Sequence, residues 1–343
     1  DGPLSVVDQK WPNPGSRAFV ASAEALQLGA NPDFNGARQD GFGLHQVTQK
    51  AGERWSAARA YLATPRPNLS IRTGALVERI VIEQGRATGV AVRFGSRQEV
   101  LKAASGVVLS AGAFGSPQIL MLSGIGPGEH LAAHGIAPVR DCAAVGSDLQ
   151  DHIDYVSSWE TQSKDFVGDS LAGAWKMLKA IVEHRSKRTG MMTTPFAEAG
   201  GFWHSRPGLP AADVQYHFVP AMLEDHGRTT VHGHGFSCHA CVLRPESRGT
   251  VRLASADPAA APLIDPNFLD AEADMATLRA GVRTMHRIVS AAPLADYAPK
   301  DRHPVNLDDD AALDALIRSR ADTVYHPVGT CRMGPDEDSV VDP

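Results

Sequence analysis

The hydrophobic and polar positions change rhythm several times along the chain, and each change predicts an element. Leu76-Val-Glu-Arg-Ile-Val-Ile82, the turn Gln84-Gly-Arg86 and Thr88-Gly-Val-Ala-Val-Arg-Phe94 read as a β-hairpin. Gly106-Val-Val-Leu-Ser-Ala-Gly112 reads as a short apolar strand running into a glycine turn. Ser116-Pro117 then offers an N-cap and a proline at the first helical position, so a helix is expected from there to Ser123-Gly124. Strand-to-turn-to-helix is a natural anion site, because free N–H groups and the positive helix end both face the turn.

Before that stretch, residues 1–67 are turn-rich (Trp11-Pro-Asn-Pro-Gly15), with short helices expected near 16–28 and 54–62. Pro65 and Pro67 interrupt the chain before the β pattern begins. After residue 152 helices and strands alternate. Residues 173–184 read as a helix with a basic end, and 213–219, 235–243 and 250–254 as strands. Residues 271–291 form a long amphipathic helix, with Met275, Leu278, Val282, Met285 and Ile288 at helical spacing, and 308–320 another.

Composition narrows the class without naming it. The chain has 343 residues, 43% hydrophobic and 21% charged, which is enough for two cores. Its net charge of −6 gives no electrostatic reason to expect nucleic acid or an anionic membrane as partner. No apolar run approaches the ~20 residues of a membrane-spanning helix. Four scattered cysteines make no disulfide framework and suit a reducing compartment. Cys238 and Cys241 form a CxxC near His232, His234 and His239. The run around them alternates like a strand, which sets the two thiols on opposite faces, so no metal site is assigned.

Four ordered blocks carry a resemblance. They are Asn68–Ile80, Val108–Gly126, Val145-Gly-Ser-Asp-Leu-Gln-Asp-His152, and Tyr325-His-Pro-Val-Gly-Thr-Cys-Arg-Met-Gly334 through Pro343. Together they resemble the glucose–methanol–choline (GMC) family of FAD-dependent alcohol oxidoreductases, more the bacterial choline and alcohol dehydrogenases than the fungal sugar oxidases. The resemblance implies an α/β FAD-binding domain, incomplete and of the doubly wound type, at 68–150 and 326–343. It implies an α+β substrate domain with an antiparallel sheet at 1–67 and 151–325. FAD is the implied cofactor, a small alcohol the substrate and a quinone-type carrier the electron acceptor. The implied place is the cytoplasm, with peripheral attachment to the inner membrane as the variant.

Residue by residue, Val77 matches the position whose backbone meets the adenine. Ser110, Ala111, Gly112 and Ala113 match the turn beside the FAD diphosphate and ribose. His326 matches the active-site histidine, whose neutral imidazole suits removal of a hydroxyl proton near pH 7. Val324 is expected on the substrate side. Glu198 matches a glutamate that faces the cationic head group in choline-oxidising relatives. On its own, a glutamate at a strand edge such as Glu198 is more often a hydrogen-bonded structural carboxylate.

The family's G-x-G-x-x-G turn has no counterpart here. The chain therefore reads as a fragment expected to be inactive alone, with the second active-site residue falling beyond Pro343. Two other readings stand beside the oxidoreductase: an FAD-containing lyase of the same family, and a metal-dependent hydrolase built on the His/Cys cluster.

Overall fold

The computed structural model describes residues 2–343 and divides the chain into two compact units. The first unit takes residues 2–66, 153–244 and 273–324. Its centre is an antiparallel sheet whose strands run, edge to edge, Gly41–Leu44, Ala199–Trp203, Val214–Val219, His234–Val242, Ile153–Thr161 and Lys300–Asp301. Ile153–Thr161 and His234–Val242 are buried over nearly their whole length, and several of their polar side chains find partners inside. Ser158 and Ser237 share a hydrogen bond at 2.9 Å. His239 Nδ1 lies 2.6 Å from Asp154 Oδ2. Burying such groups unpaired would cost several kcal/mol.

One face of this sheet is the core. Phe42, Tyr216, Ala240 and Tyr155 fall in register across it, and Phe19 stacks on Phe218 with ring centroids 4.9 Å apart. The helix Glu272–Val289 contributes Met275, Leu278, Val282, Met285 and Ile288, all fully buried. These are the five positions that helical spacing selects. Tyr216 anchors the helix by donating its hydroxyl to the Gly281 carbonyl at 3.0 Å. Cys238 pairs across to Phe218, whereas Cys241 pairs to Gln215, so the thiols do lie on opposite faces. Both are wholly buried, deeper than the half-burial of an ordinary sheet face.

The second unit takes residues 67–152, 245–272 and 325–343. Leu76–Glu83, Arg86–Phe94 and Arg97–Lys102 form a three-stranded antiparallel sheet with a two-residue turn at Gln84-Gly85. The helix Gly112–Leu122 ends against it, where Ser123 Oγ accepts the Ile80 N–H at 2.8 Å. Met121, Leu131, Val145 and Leu253 form the core of this unit.

The structure corrects the sequence reading in three places. Residues 245–272 group with this second unit instead of with 151–325, because Leu149 bridges Gly249 and the Val251 N–H bonds the Gly146 carbonyl at 2.6 Å. Residues 106–110 are not a strand; they have no ladder partner among the described residues, and Val108 is 91% exposed. A strand exists only with a neighbour to complete its hydrogen bonds. For the same reason no doubly wound sheet forms among the described residues of this unit; Ile125–Gly126 with Arg140–Asp141 is its parallel pair.

Candidate functional site

The helix at the glycine turn starts five residues earlier than its sequence suggests, at Gly112 instead of Pro117. Ser116 is no N-cap. Its Oγ accepts the Ala111 N–H at 3.1 Å and closes the turn from inside the helix. Pro117 therefore sits within the helix, where it brings no N–H for the carbonyl of Ala113. Thr330 fills that gap, donating its hydroxyl to the Ala113 oxygen at 2.5 Å. Thr330 is 1% exposed, so the bond is shielded from water.

Ser110, Ala111, Gly112 and Ala113 thus lie at a helix N-terminus with no acidic residue in its first turn and no side-chain cap. Gly112 has φ +79, and a Cβ there would meet nothing within 4 Å. Small side chains, open space and unsatisfied N–H groups are what a diphosphate needs. The residues present fit that part of a dinucleotide. Val77 lies in the edge strand Leu76–Glu83, at a slip in the ladder between Val77 and Arg79.

The segment bearing His326 is bound to this turn by a continuous set of contacts. The Gly146 N–H bonds the Thr330 carbonyl at 2.9 Å, and Gln150 and Val328 exchange backbone bonds. Gly329, at φ +99, has no room for a side chain, since a Cβ would stand 2.0 Å from the Asp148 carbonyl. Tyr325 adopts the left-handed conformation at φ +68 immediately before His326. Asp151 Oδ1 accepts the His326 backbone N–H at 2.9 Å. His152 Nδ1 lies 3.1 Å from His326 Nδ1, with the rings at 87°. One of these nitrogens donates and the other accepts, so the contact links the two tautomers. Burial pushes the Cys331 thiol up to about 11, with Cys142 alongside adding to the shift. That thiol stays protonated near neutral pH and is no nucleophile.

Sequence reasoning named His326 but assigned no role to Asp151, His152 or Thr330. Their signal lay in the two blocks that contain them; the contacts between the blocks gave it meaning.

The other expected residues lie in the first unit. Val324 is half-buried there. Glu198 is 3% exposed at the start of its strand, and its Oε2 accepts the Asn13 N–H at 2.5 Å and the Ser16 hydroxyl at 2.7 Å. It holds the beginning of the helix Pro14–Ala25 while bordering a cavity of about 680 Å³. The histidines are dispersed. His234 bonds the Phe166 carbonyl and Ser170, His232 pairs with Asp169, and His239 with Asp154. No group of three metal-binding side chains occurs among the described residues.

GMC oxidoreductase family profiles match residues 1–154 and 245–343. The chain belongs to the GMC oxidoreductase family. It is 43% identical over 350 residues to an alcohol dehydrogenase [acceptor] of Pseudomonas putida, and 40% identical over 348 residues to an oxygen-dependent choline dehydrogenase of Rhizobium johnstonii. Both matches take in all of this chain and 63% of the relative, so this GMC chain spans under two thirds of their length. Among solved structures, pyridoxine 4-oxidase from Mesorbium loti matches with a TM-score of 0.83 at 25% identity, over 99% of this chain and 64% of that one. An Aspergillus oryzae formate oxidase matches with a TM-score of 0.89 at 22% identity, over 100% and 65%, and shows the same fold.

Proposed function

We propose that this chain supplies the catalytic histidine and part of the cofactor site of an FAD-dependent oxidoreductase that converts an alcohol to an aldehyde. The supporting observation is the attachment of the His326 segment, through Thr330, to the first turn of the helix that begins at Gly112, with Val328 paired to Gln150 beside it. A proton acceptor and a phosphate-binding turn are then parts of one construction. Ser110–Ala113 would hold the diphosphate, and the Val77 backbone the adenine.

FAD is the cofactor, and when bound it supplies the two-electron acceptor for the hydride leaving the alcohol's α-carbon. His326 takes the hydroxyl proton at Nε2. Its Nδ1 faces His152 and its backbone is fixed by Asp151, which leaves Nε2 for the substrate. Substrates in this reading are primary or choline-like alcohols, with Val324 and Glu198 on the substrate side. The electron acceptor in this reading is of the quinone type; the name of the Pseudomonas putida relative specifies an acceptor without saying which.

The test is anaerobic mixing of the FAD-loaded holoenzyme with primary alcohols and choline while the flavin absorbance is followed. The alcohol should bleach the flavin. His326→Ala should slow bleaching by roughly 10²–10⁴-fold, the usual worth of a positioned base, with FAD retained. A variant as fast as its parent would end the assignment.

A further inference from the structure

The sheet of the first unit has a second face, opposite its aromatic core, and a row of ionisable side chains crosses it. Asp154 lies on Ile153–Thr161, His239 on His234–Val242 and His217 on Val214–Val219, while His45 directly follows Gly41–Leu44. His239 and His217 pair directly in the ladder, and Asp154 stands diagonally from His239, opposite Cys241. Asp154 Oδ2 lies 2.6 Å from His239 Nδ1. The rings of His239 and His217 are 6.1 Å apart between centroids, and those of His217 and His45 are 5.8 Å apart.

The last gap spans a whole strand, and a glycine makes it passable. Ala199–Trp203 runs between His217 and His45, and its Gly200 is the residue opposite His217. A Cβ at Gly200 would stand 2.5 Å from His45 Nε2, so the imidazole reaches across the strand through the space a side chain would fill. Gln9 fixes the backbone there, its Nε2 donating to the His45 and Glu198 carbonyls at 2.7 and 2.5 Å.

Packing alone gives no reason for such a row. Asp154 is wholly buried and His239 is 8% exposed, and apolar side chains would fill both places without the cost of desolvating polar groups. Each end of the row holds a buried atom with no hydrogen-bond partner among the described residues, Oδ1 of Asp154 and Nε2 of His45. An imidazole can accept a proton on one nitrogen and give one up from the other. A buried carboxylate on Nδ1 fixes the tautomer of His239 and steadies its imidazolium while it carries the proton. At these separations a ring rotation brings neighbouring nitrogens toward hydrogen-bond reach.

The row has a source and an outlet. Asp154 pairs with Asp322, and by alternation Val324 falls on the same side of that strand. Under the proposed function, on which this inference rests, Val324 is on the substrate side. At the other end His45 lines a cavity of about 540 Å³ with Asp8, Gln9 and Asn31. Asp8 is exposed, so a proton reaching this cavity meets water.

We propose that Asp154, His239, His217 and His45 form a proton relay across the sheet, from the substrate side to the cavity at His45. Oxidising one alcohol breaks its O–H bond and one C–H bond, sends the hydride to the flavin, and leaves an aldehyde and one proton. The relay moves that proton alone. At each step one N–H bond breaks and the next forms, and no relay residue is oxidised or reduced.

Two measurements on the FAD-loaded holoenzyme test this, with His217→Phe to break the row and Gly200→Ala to push His45 out of it. The first needs no alcohol: exchange of the His239 ring N–H with heavy water is followed by NMR in protein carrying isotope-labelled histidine. Exchange should be slower in both variants than in the parent. The second mixes each protein anaerobically with a primary alcohol in weak buffer containing a pH-indicator dye. The parent should release its proton in step with flavin bleaching. In both variants release should lag by roughly 10²-fold, the low end of what a positioned proton carrier contributes. Exchange and release that match the parent in both variants would overturn the relay. So would bleaching and release slowed in equal measure, the mark of a packing role. A parent that no alcohol bleaches would end the oxidoreductase reading, while the exchange measurement still decides whether the path exists.

Discussion

Thr330 donates its hydroxyl to the Ala113 carbonyl, the acceptor that Pro117 leaves without a helical N–H. The two residues stand 217 positions apart. The bond therefore does two things: it repairs a proline-broken helix at its start, and it fastens the His326 segment to the proposed phosphate turn.

Removing the hydroxyl while keeping the shape, Thr330→Val, should cost about 1–3 kcal/mol, the penalty of a buried acceptor left unmade. Restoring the helical donor with Pro117→Ala should recover most of that loss in the double variant. Urea unfolding of the four proteins in a double-mutant cycle checks this. Strictly additive losses would show that Thr330 and Pro117 do not share the Ala113 oxygen.

His152 is expected to orient His326 through the Nδ1 contact without touching the reacting atoms. His152→Leu should slow flavin reduction by about tenfold or more, since a base in the wrong tautomer cannot accept the proton. The pH at which reduction reaches half its maximum should move with it, while FAD affinity holds. An unchanged pH profile would leave His152 with a packing role alone.

Glu198 offers a clean charge test, because the amide oxygen of Glu198→Gln can still accept from Asn13 and Ser16. In the holoenzyme this change should lower kcat/KM for choline well below the loss for a linear primary alcohol. A carboxylate attracts a quaternary ammonium in a partly dry pocket, and a neutral alcohol gains nothing from it. Equal losses would return Glu198 to holding the Pro14–Ala25 helix.

His45 should make the protein acid-sensitive. Burial draws its imidazole down to about 4 from the ordinary 6.5, against a raising backbone bond at Ala199, and its Nε2 is buried without a hydrogen-bond partner. The unfolded chain then takes up the proton first. The stability is complete above pH 6.5 and is lost as pH falls toward 4, by roughly 2–3 kcal/mol. His45→Phe should flatten that part of the curve in urea titrations across the window. A slope identical to the parent's would assign the acid sensitivity elsewhere.

What the sequence determined by itself was local and periodic. Alternation marked the hairpin from Leu76 to Phe94 and set Cys238 and Cys241 on opposite faces, and helical spacing chose five of the core residues of Glu272–Val289. Those features need only a chain's own repeat and an apolar side to bury. The blocks of family resemblance also located His326 and the Gly112 turn. Tertiary structure decided whatever depended on a distant partner. Ile153–Thr161 is buried on both faces and shows no alternation, so it became a central strand only beside His234–Val242. The apolar run at 106–110 reads as a strand and has no neighbour to make it one. Ser116 looks like a cap and serves as an acceptor inside a longer helix, because Thr330 makes good the bond that Pro117 cannot. Periodicity tells which face of a segment seeks cover; it carries no address for the residue that will provide it.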